Sequence, residues 1–150
     1  MRYAISDKRV AVLFDFHIFY DAGRAALAGG SPYTVANFFY PLPVAYFFAP
    51  FALLPFPAAA GVWWALNLAA LLTVARRASG FWLLFPPVWQ QFVSGNMDLL
   101  ILRLWDWAAS PTAGAGAGIA LAISTLKPQL GLLVVPFWLW QWRRNGRRAW

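Results

Sequence analysis

Pro57 Ala58 Ala59 Ala60 Gly61 Val62 Trp63 Trp64 Ala65 Leu66 Asn67 Leu68 Ala69 Ala70 Leu71 Leu72 Thr73 Val74 Ala75 Arg76 Arg77 is the stretch that decides the class of this chain. A proline opens it, where a missing N–H costs a helix nothing, and two arginines close it. Ala58 to Ala75 carries no charge and approaches the roughly 20 residues that a helix needs to cross a hydrocarbon core. The reading is a transmembrane helix.

Outward from that stretch, no charged residue occurs between Arg24 and Arg76. The whole chain is 61% hydrophobic and only 11% charged, with 10 Trp and 13 Phe, against about 45–50% apolar usage in a soluble domain. Its 150 residues contain no Glu and no Cys. Neither a disulfide framework nor a thiolate metal site can form, and a single His with no Cys or Glu argues against a zinc site. No glycine-rich phosphate loop followed by Lys and Ser or Thr is present, which argues against nucleotide hydrolysis. The expected fold is all-α: a polytopic transmembrane helical bundle forming one integral membrane domain over residues 1–150.

The net charge of +7 raises the question of nucleic acid. Arg143, Arg144, Arg147 and Arg148 directly follow the apolar run Leu130 to Trp142, and Arg76 and Arg77 follow another. That is the positive-inside pattern, and no separate basic domain accompanies it, so nucleic acid is not expected as a partner. Met1 to Arg9 carries Arg2, Asp7, Lys8 and Arg9. The run after it, Val10 to Phe14, is too short for a span or a signal peptide. Either the segment around Asp15 is translocated with the next helices, or a spanning helix belongs upstream.

Breakers divide the rest. Asp21 to Ala28 reads as a short amphipathic helix, closed by Gly29 Gly30 and followed by a Ser31 Pro32 turn, leaving Asp15 in a loop before it. Phe38 to Leu54, interrupted by Pro41, Pro43 and Pro50, suits a segment at the membrane interface and is a poor straight span. Phe81 to Val93 and Met97 to Ala109 are separated by Ser94 Gly95 Asn96. Ala113 to Leu126 and Gln129 to Trp142 are separated by Lys127 Pro128. Two long crossings would put those polar turns near the midplane, at about 2.5–3.5 kcal/mol per charge, so four short crossings are expected. The alternating Ala and Gly of Ala113 to Gly118 suits close helix approach in lipid.

Charge parity then has a consequence for function. With Arg76, Arg77 and the terminal arginines cytoplasmic, the Asp15 loop, the Gly95 Asn96 turn and Lys127 all fall on the outer face. Asp15 is either a functional carboxylate or a helix cap. Arg103 and Asp106, three apart, read as an ion pair. The tryptophans at 63, 64, 105, 107, 138, 140 and 142 read mostly as interface anchors and packing groups, with sugar stacking the lesser alternative.

The order of Asp15 and the aromatic run to Tyr20, then Leu27 Ala28 Gly29 Gly30 Ser31 Pro32 Tyr33, then Phe39 Tyr40 Pro41 Leu42 Pro43, resembles the start of the GT-C glycosyltransferases. It is closest to family 87, the polyprenyl-phosphate-mannose-dependent mannosyltransferases. Ser94 Gly95 Asn96 Met97 Asp98 Leu99 Leu100 is similar to that family's Gly-x-Asn-containing turn, although Asn96 follows Gly95 directly. Leu126 Lys127 Pro128 is similar to its lysine-proline element. The resemblance runs from about Asp15 to Arg148 and corresponds to the N-terminal part of a longer module.

What the resemblance implies is transfer of a sugar, mannose in that family, from a polyprenyl-phosphate donor to a hydroxyl of a lipid or glycan acceptor. The reaction would take place on the non-cytoplasmic face of a bacterial cell membrane, among membrane lipids, with neither nucleotide donor nor cofactor nor metal. Asp15 would be the general base, with His17 tuning or replacing it unless His17 is a structural hydrogen-bonder. Lys127, the only lysine outside the N-terminal tail, would hold the donor phosphate, the alternative being a snorkelling lysine at a helix end. Arg24 is a second candidate for that phosphate. Tyr40 and Asn96 would contact substrate, and Asp98 would orient the acceptor or, more simply, cap the following helix. The rival reading is a noncatalytic membrane protein, truncated or acting as a small packing subunit. A transporter is more distant, since no inverted repeat is evident.

Overall fold

The structure, a computed structural model, describes residues 12–76, 84–109 and 114–144. Met1 to Arg9, Arg77, Phe81, Ala113, Arg147 and Arg148, which enter the readings above, lie outside the described residues. Among the described residues every regular element is helical: α1 (Phe14–Leu27), α2 (Leu42–Phe48), α3 (Phe56–Ala75), α4 (Pro86–Ser94), α5 (Asp98–Ala108), α6 (Gly116–Ser124) and α7 (Pro128–Arg144), with 3₁₀ turns at Pro32–Thr34 and Ala49–Leu53.

Helix α1 is longer than the sequence suggests. It begins at Phe14 after Leu13 in the left-handed conformation, φ 66°, so Asp15 sits in its first turn and not in a loop. Asp15 is not a cap either, because the N-cap position is Leu13 and no side chain caps it. Phe16, Phe19, Tyr20 and Gly23 recur at helical spacing and form the buried face. The aromatic run conceals this period, since exposed Phe14 and His17 are interleaved with the buried rings. The C-terminus follows the expected glycine logic: Gly29, φ 71°, donates to the Ala26 carbonyl, and Gly30 donates to the Ala25 carbonyl over 2.9 Å.

The core is an aromatic cluster in which α1 meets α2, the 3₁₀ turn after it and α3. The Phe16 ring stacks on Trp63 at 5.6 Å and Phe19 stacks on Phe48 at 4.6 Å. Gly23 lets α1 lie against the α2 end, where an added Cβ would come within 2.7 Å of the Phe48 carbonyl carbon. As its prolines require, Phe38 to Leu54 is no straight span, folding instead into two short helical turns on α1.

Helix α3 has 20 residues, about 30 Å of rise, and is the one described helix long and apolar enough to cross a membrane. Only one stripe of it, including Ala59, Ala60, Trp63, Asn67, Ala70 and Leu71, is buried. Val62, Leu66, Leu68 and Leu72 face outward. Phe81–Trp142 contains four separate helices, as its breakers predict. However, α4, α5 and α6 have 9, 11 and 9 residues, about 14–17 Å of rise, or half of a hydrocarbon core. Helix length therefore does not carry the expected count of four crossings.

Helix α4 ends on groups supplied by other helices. The Trp64 indole donates to the Phe92 carbonyl at 3.0 Å, the Leu13 amide to the Val93 carbonyl at 2.6 Å, and the Trp63 indole to the Gly95 carbonyl at 2.8 Å. Trp63, fully buried, is thus a clamp and not an interface anchor. Farther along, Gly116 admits the Trp107 ring, which an added Cβ would meet at 2.5 Å, so one glycine of the small-residue run serves close contact of α5 and α6, whereas Gly114 and Gly118 have open space around them. Arg103 and Asp106 form the expected pair at 3.0 Å.

Candidate active site

The first turn of α1, the turn joining α4 to α5, and the start of α7 meet at one place. Gly95 makes the meeting possible. Its φ of 72° closes α4 in the left-handed region, and an added Cβ would come within 2.7 Å of the Phe16 Cβ. The chain leaving Gly95 delivers Asn96 directly to Asp15, whose Oδ2 accepts from Asn96 Nδ2 at 2.9 Å. Asn96 Oδ1 in turn accepts from the Met97 amide at 2.7 Å and from Lys127 Nζ at 2.8 Å. The Lys127 ammonium also pairs with Asp98.

Lys127 is 7% exposed, so it is no snorkelling side chain. Burial of an ammonium requires compensation, and Asp98 and Asn96 provide it. This gives Asp98 a role different from the expected cap. It stands in the first turn of α5, where the helix dipole favours a carboxylate, but the N-cap is Met97 and the Asp98 side chain turns to Lys127.

Tyr40 completes the polar group from the segment before α2. Burial raises its phenol above the ordinary value of 10.0, the carboxylates of Asp15 and Asp98 raise it further, and a hydrogen bond with Asn96 opposes them. At neutral pH Tyr40 is therefore a protonated donor. A cavity of about 590 Å³ has Asp15 and Tyr40, but not Asn96, Asp98 or Lys127, in its wall, together with Phe14, Ile18, Phe19, Asn37, Phe39, Gln129 and Leu132. Its size is that of a small-molecule site, and its composition, apolar walls with a few polar groups, is of the same kind.

Of the seven residues expected from sequence, Asp15, Tyr40, Asn96, Asp98 and Lys127 come together. His17 and Arg24 do not join them. The exposed His17 ring stacks on Phe56 at 3.8 Å, and Arg24, with 67% of its side chain exposed, pairs with Asp21 at 2.9 Å. Asn37 and Gln129 are the cavity residues that the sequence reading omits. Asn37 holds a left-handed φ of 66°, which Asn tolerates better than most residues, and Gln129 follows the Lys127 Pro128 pair. Those two local features were the available signals. Among the described residues no cluster of His, Asp or Glu could hold a metal ion.

The sequence profile of glycosyltransferase family 87 matches residues 38–150. No curated protein and no solved structure matches the chain. The matched span contains Tyr40, Asn96, Asp98 and Lys127, while α1 with Asp15 lies before it. Three quarters of the chain thus carries the family's pattern, including four of the five converging polar residues, and the protein belongs to glycosyltransferase family 87.

Proposed function

We propose that this chain is the sugar-transferring part of a GT-C-type enzyme that uses a polyprenyl-phosphate-linked sugar, mannose by the resemblance, and a hydroxyl of a lipid or glycan acceptor. The convergence of Asp15, Asn96 and Lys127 through one set of hydrogen bonds, with Asp15 itself in the wall of a cavity, is the observation that carries the reading. A carboxylate has about four acceptor positions, so the bond to Asn96 leaves Asp15 the capacity to take a proton from an acceptor hydroxyl. As that oxygen bonds to the anomeric carbon, the bond from this carbon to the phosphate oxygen breaks. The electron pair leaves with the polyprenyl phosphate, and the proton stays on Asp15. Lys127 has three N–H donors, of which Asn96 and Asp98 engage two, so the third is the one available to the phosphate. Tyr40 and Asp98 orient the acceptor side, whereas the positions of His17 and Arg24 support neither as a substrate contact.

On this reading residues 1–150 act as a single integral membrane domain in a polytopic bundle of a bacterial cell membrane, with the cavity on the outer face and the C-terminal arginines cytoplasmic. The outward-facing apolar side chains of α3, and of α7 at Phe137, Leu139 and Trp140, support contact with lipid. The deciding experiment is sugar transfer from a polyprenyl-phosphate donor by the chain in lipid nanodiscs. Asp15→Asn should lower kcat by about 10²–10⁴-fold with expression unchanged. Equal turnover in the variant would remove Asp15 from the mechanism, and a wild type that transfers no sugar would favour the noncatalytic reading.

A further inference from the structure

We infer that Asn96 is a positioning residue that ties the Asp15 carboxylate to the Lys127 ammonium, and that it does so without touching substrate. The inference rests on the proposed role of Asp15, but the link itself can be observed without turnover.

Two donors, the Met97 backbone amide at 2.7 Å and Lys127 Nζ at 2.8 Å, converge on one atom of the Asn96 side chain. Only an oxygen can accept both, so the amide has one orientation and its nitrogen must face Asp15, at 2.9 Å. Neither end of that amide can rotate away without breaking a bond. The result is a continuous line from the ammonium through Lys127 N–H to the Asn96 carbonyl, then from the Asn96 N–H to Asp15 Oδ2. Hydrogen bonds in such a chain polarise one another, and a cation at its head strengthens the last donor.

Asp15 and Asp98 are both acidic, and one lysine serves both. Lys127 pairs with Asp98 directly and reaches Asp15 through Asn96. The charged and titratable groups facing Asp15 are thus Lys127 and Asp98 through the α4–α5 turn and Tyr40 from the segment before α2. With one oxygen of Asp15 fixed by Asn96, the carboxylate is held in the wall of the cavity instead of swinging with the first turn of α1. An asparagine suits this position because it offers both an acceptor and a donor on one short, planar group. Aspartate would lose the donor.

The test reads Asp15 itself. The chain has five carboxylate side chains, all aspartates, so labelling aspartate with ¹³C at the carboxyl and recording infrared spectra in nanodiscs gives few bands. The band lost in Asp15→Asn is that of Asp15. It should move in Asn96→Ala. It should also move in the double variant Lys127→Met with Asp98→Asn, which removes the pair without stranding a charge, but that second change should have no further effect in an Asn96→Ala background. An Asp15 band unmoved by Asn96→Ala, or a Lys127 effect of equal size with and without Asn96, overturns the inference. Because Asn96→Ala could also loosen the turn, Asn96→Leu serves beside it: it keeps most of the side-chain volume, adds no charge and no labelled carboxylate, and should move the band as Asn96→Ala does. In the transfer assay both variants should lose about 10–100-fold in kcat while the acceptor KM changes less than about threefold. A rise in KM at unchanged kcat would mark Asn96 as a substrate contact instead. If the wild type transfers no sugar, the infrared comparison still decides the link, and only the role of Asp15 falls.

Discussion

The two ends of α1 carry the same kinds of residue in opposite settings. At the N-terminal end Asp15 is bonded to a residue 81 positions away, beside a lysine that is 7% exposed. At the C-terminal end Asp21 and Arg24 pair over 2.9 Å within one turn, with 41% and 67% of their side chains exposed. Each end is also closed by a left-handed glycine, Gly95 against the first turn and Gly29 after the last. The difference is what surrounds them. A charge in water gains little from a neighbour, whereas a charge enclosed by three helices depends on every partner it has.

Substitutions paired across the helix test that contrast. The largest effect belongs to the carboxylates: Asp15→Asn should remove transfer as stated above, and Asp21→Asn should leave kcat within about twofold. Next come the cations. Lys127→Met strands Asp98 and should cost about 3–4 kcal/mol in a thermal or denaturant unfolding measurement, with most of it regained when Asp98→Asn is added. Arg24→Met should cost under about 0.5 kcal/mol, and an equal loss at both sites would erase the distinction between the two ends.

The glycines follow. Gly95→Ala meets both the left-handed penalty and a collision with Phe16 and Leu13, about 2–3 kcal/mol in sum. Gly29→Ala has the same backbone sign but open space around it, and should cost about 1 kcal/mol. The smallest effect is electrostatic. The phenolate absorbance of Tyr40, taken as the difference from Tyr40→Phe, should rise at a pH above 10.0, and Asp15→Asn should bring it down. Because the folded state holds that proton more tightly than the unfolded chain, its contribution to stability is complete below pH 10 and is lost as pH rises through the raised value. A titration unmoved by Asp15→Asn would mean that burial and Asp98 set it without Asp15.

Part of this was legible in the sequence and part was not, for physical reasons. The helix expected over Ala58 to Ala75 was legible because its limits are set by composition and by breakers, which are local. The Gly29 Gly30 stop and the Arg103–Asp106 pair were legible for the same reason. The start of α1 was hidden, since Leu13 takes a left-handed conformation held by a tertiary bond to the Val93 carbonyl, and no local residue announces it. Asp98 resembled a cap because capping is what sequence position suggests. Its true partner comes from the start of α7. For Trp63 the sequence left anchor and packing group open, because hydropathy cannot tell an indole facing lipid from one that donates to Gly95 inside the fold.

The shared termination of α4 bears on the order in which the protein can be made. Its last carbonyls are taken by α3, which is synthesised earlier, and by Leu13, earlier still. Asp98 and Asn96, by contrast, must wait for Lys127. Lys127 is the last of these polar residues in chain order, so the bonds that tie Asp15, Asn96 and Asp98 together close only when the chain reaches the start of α7.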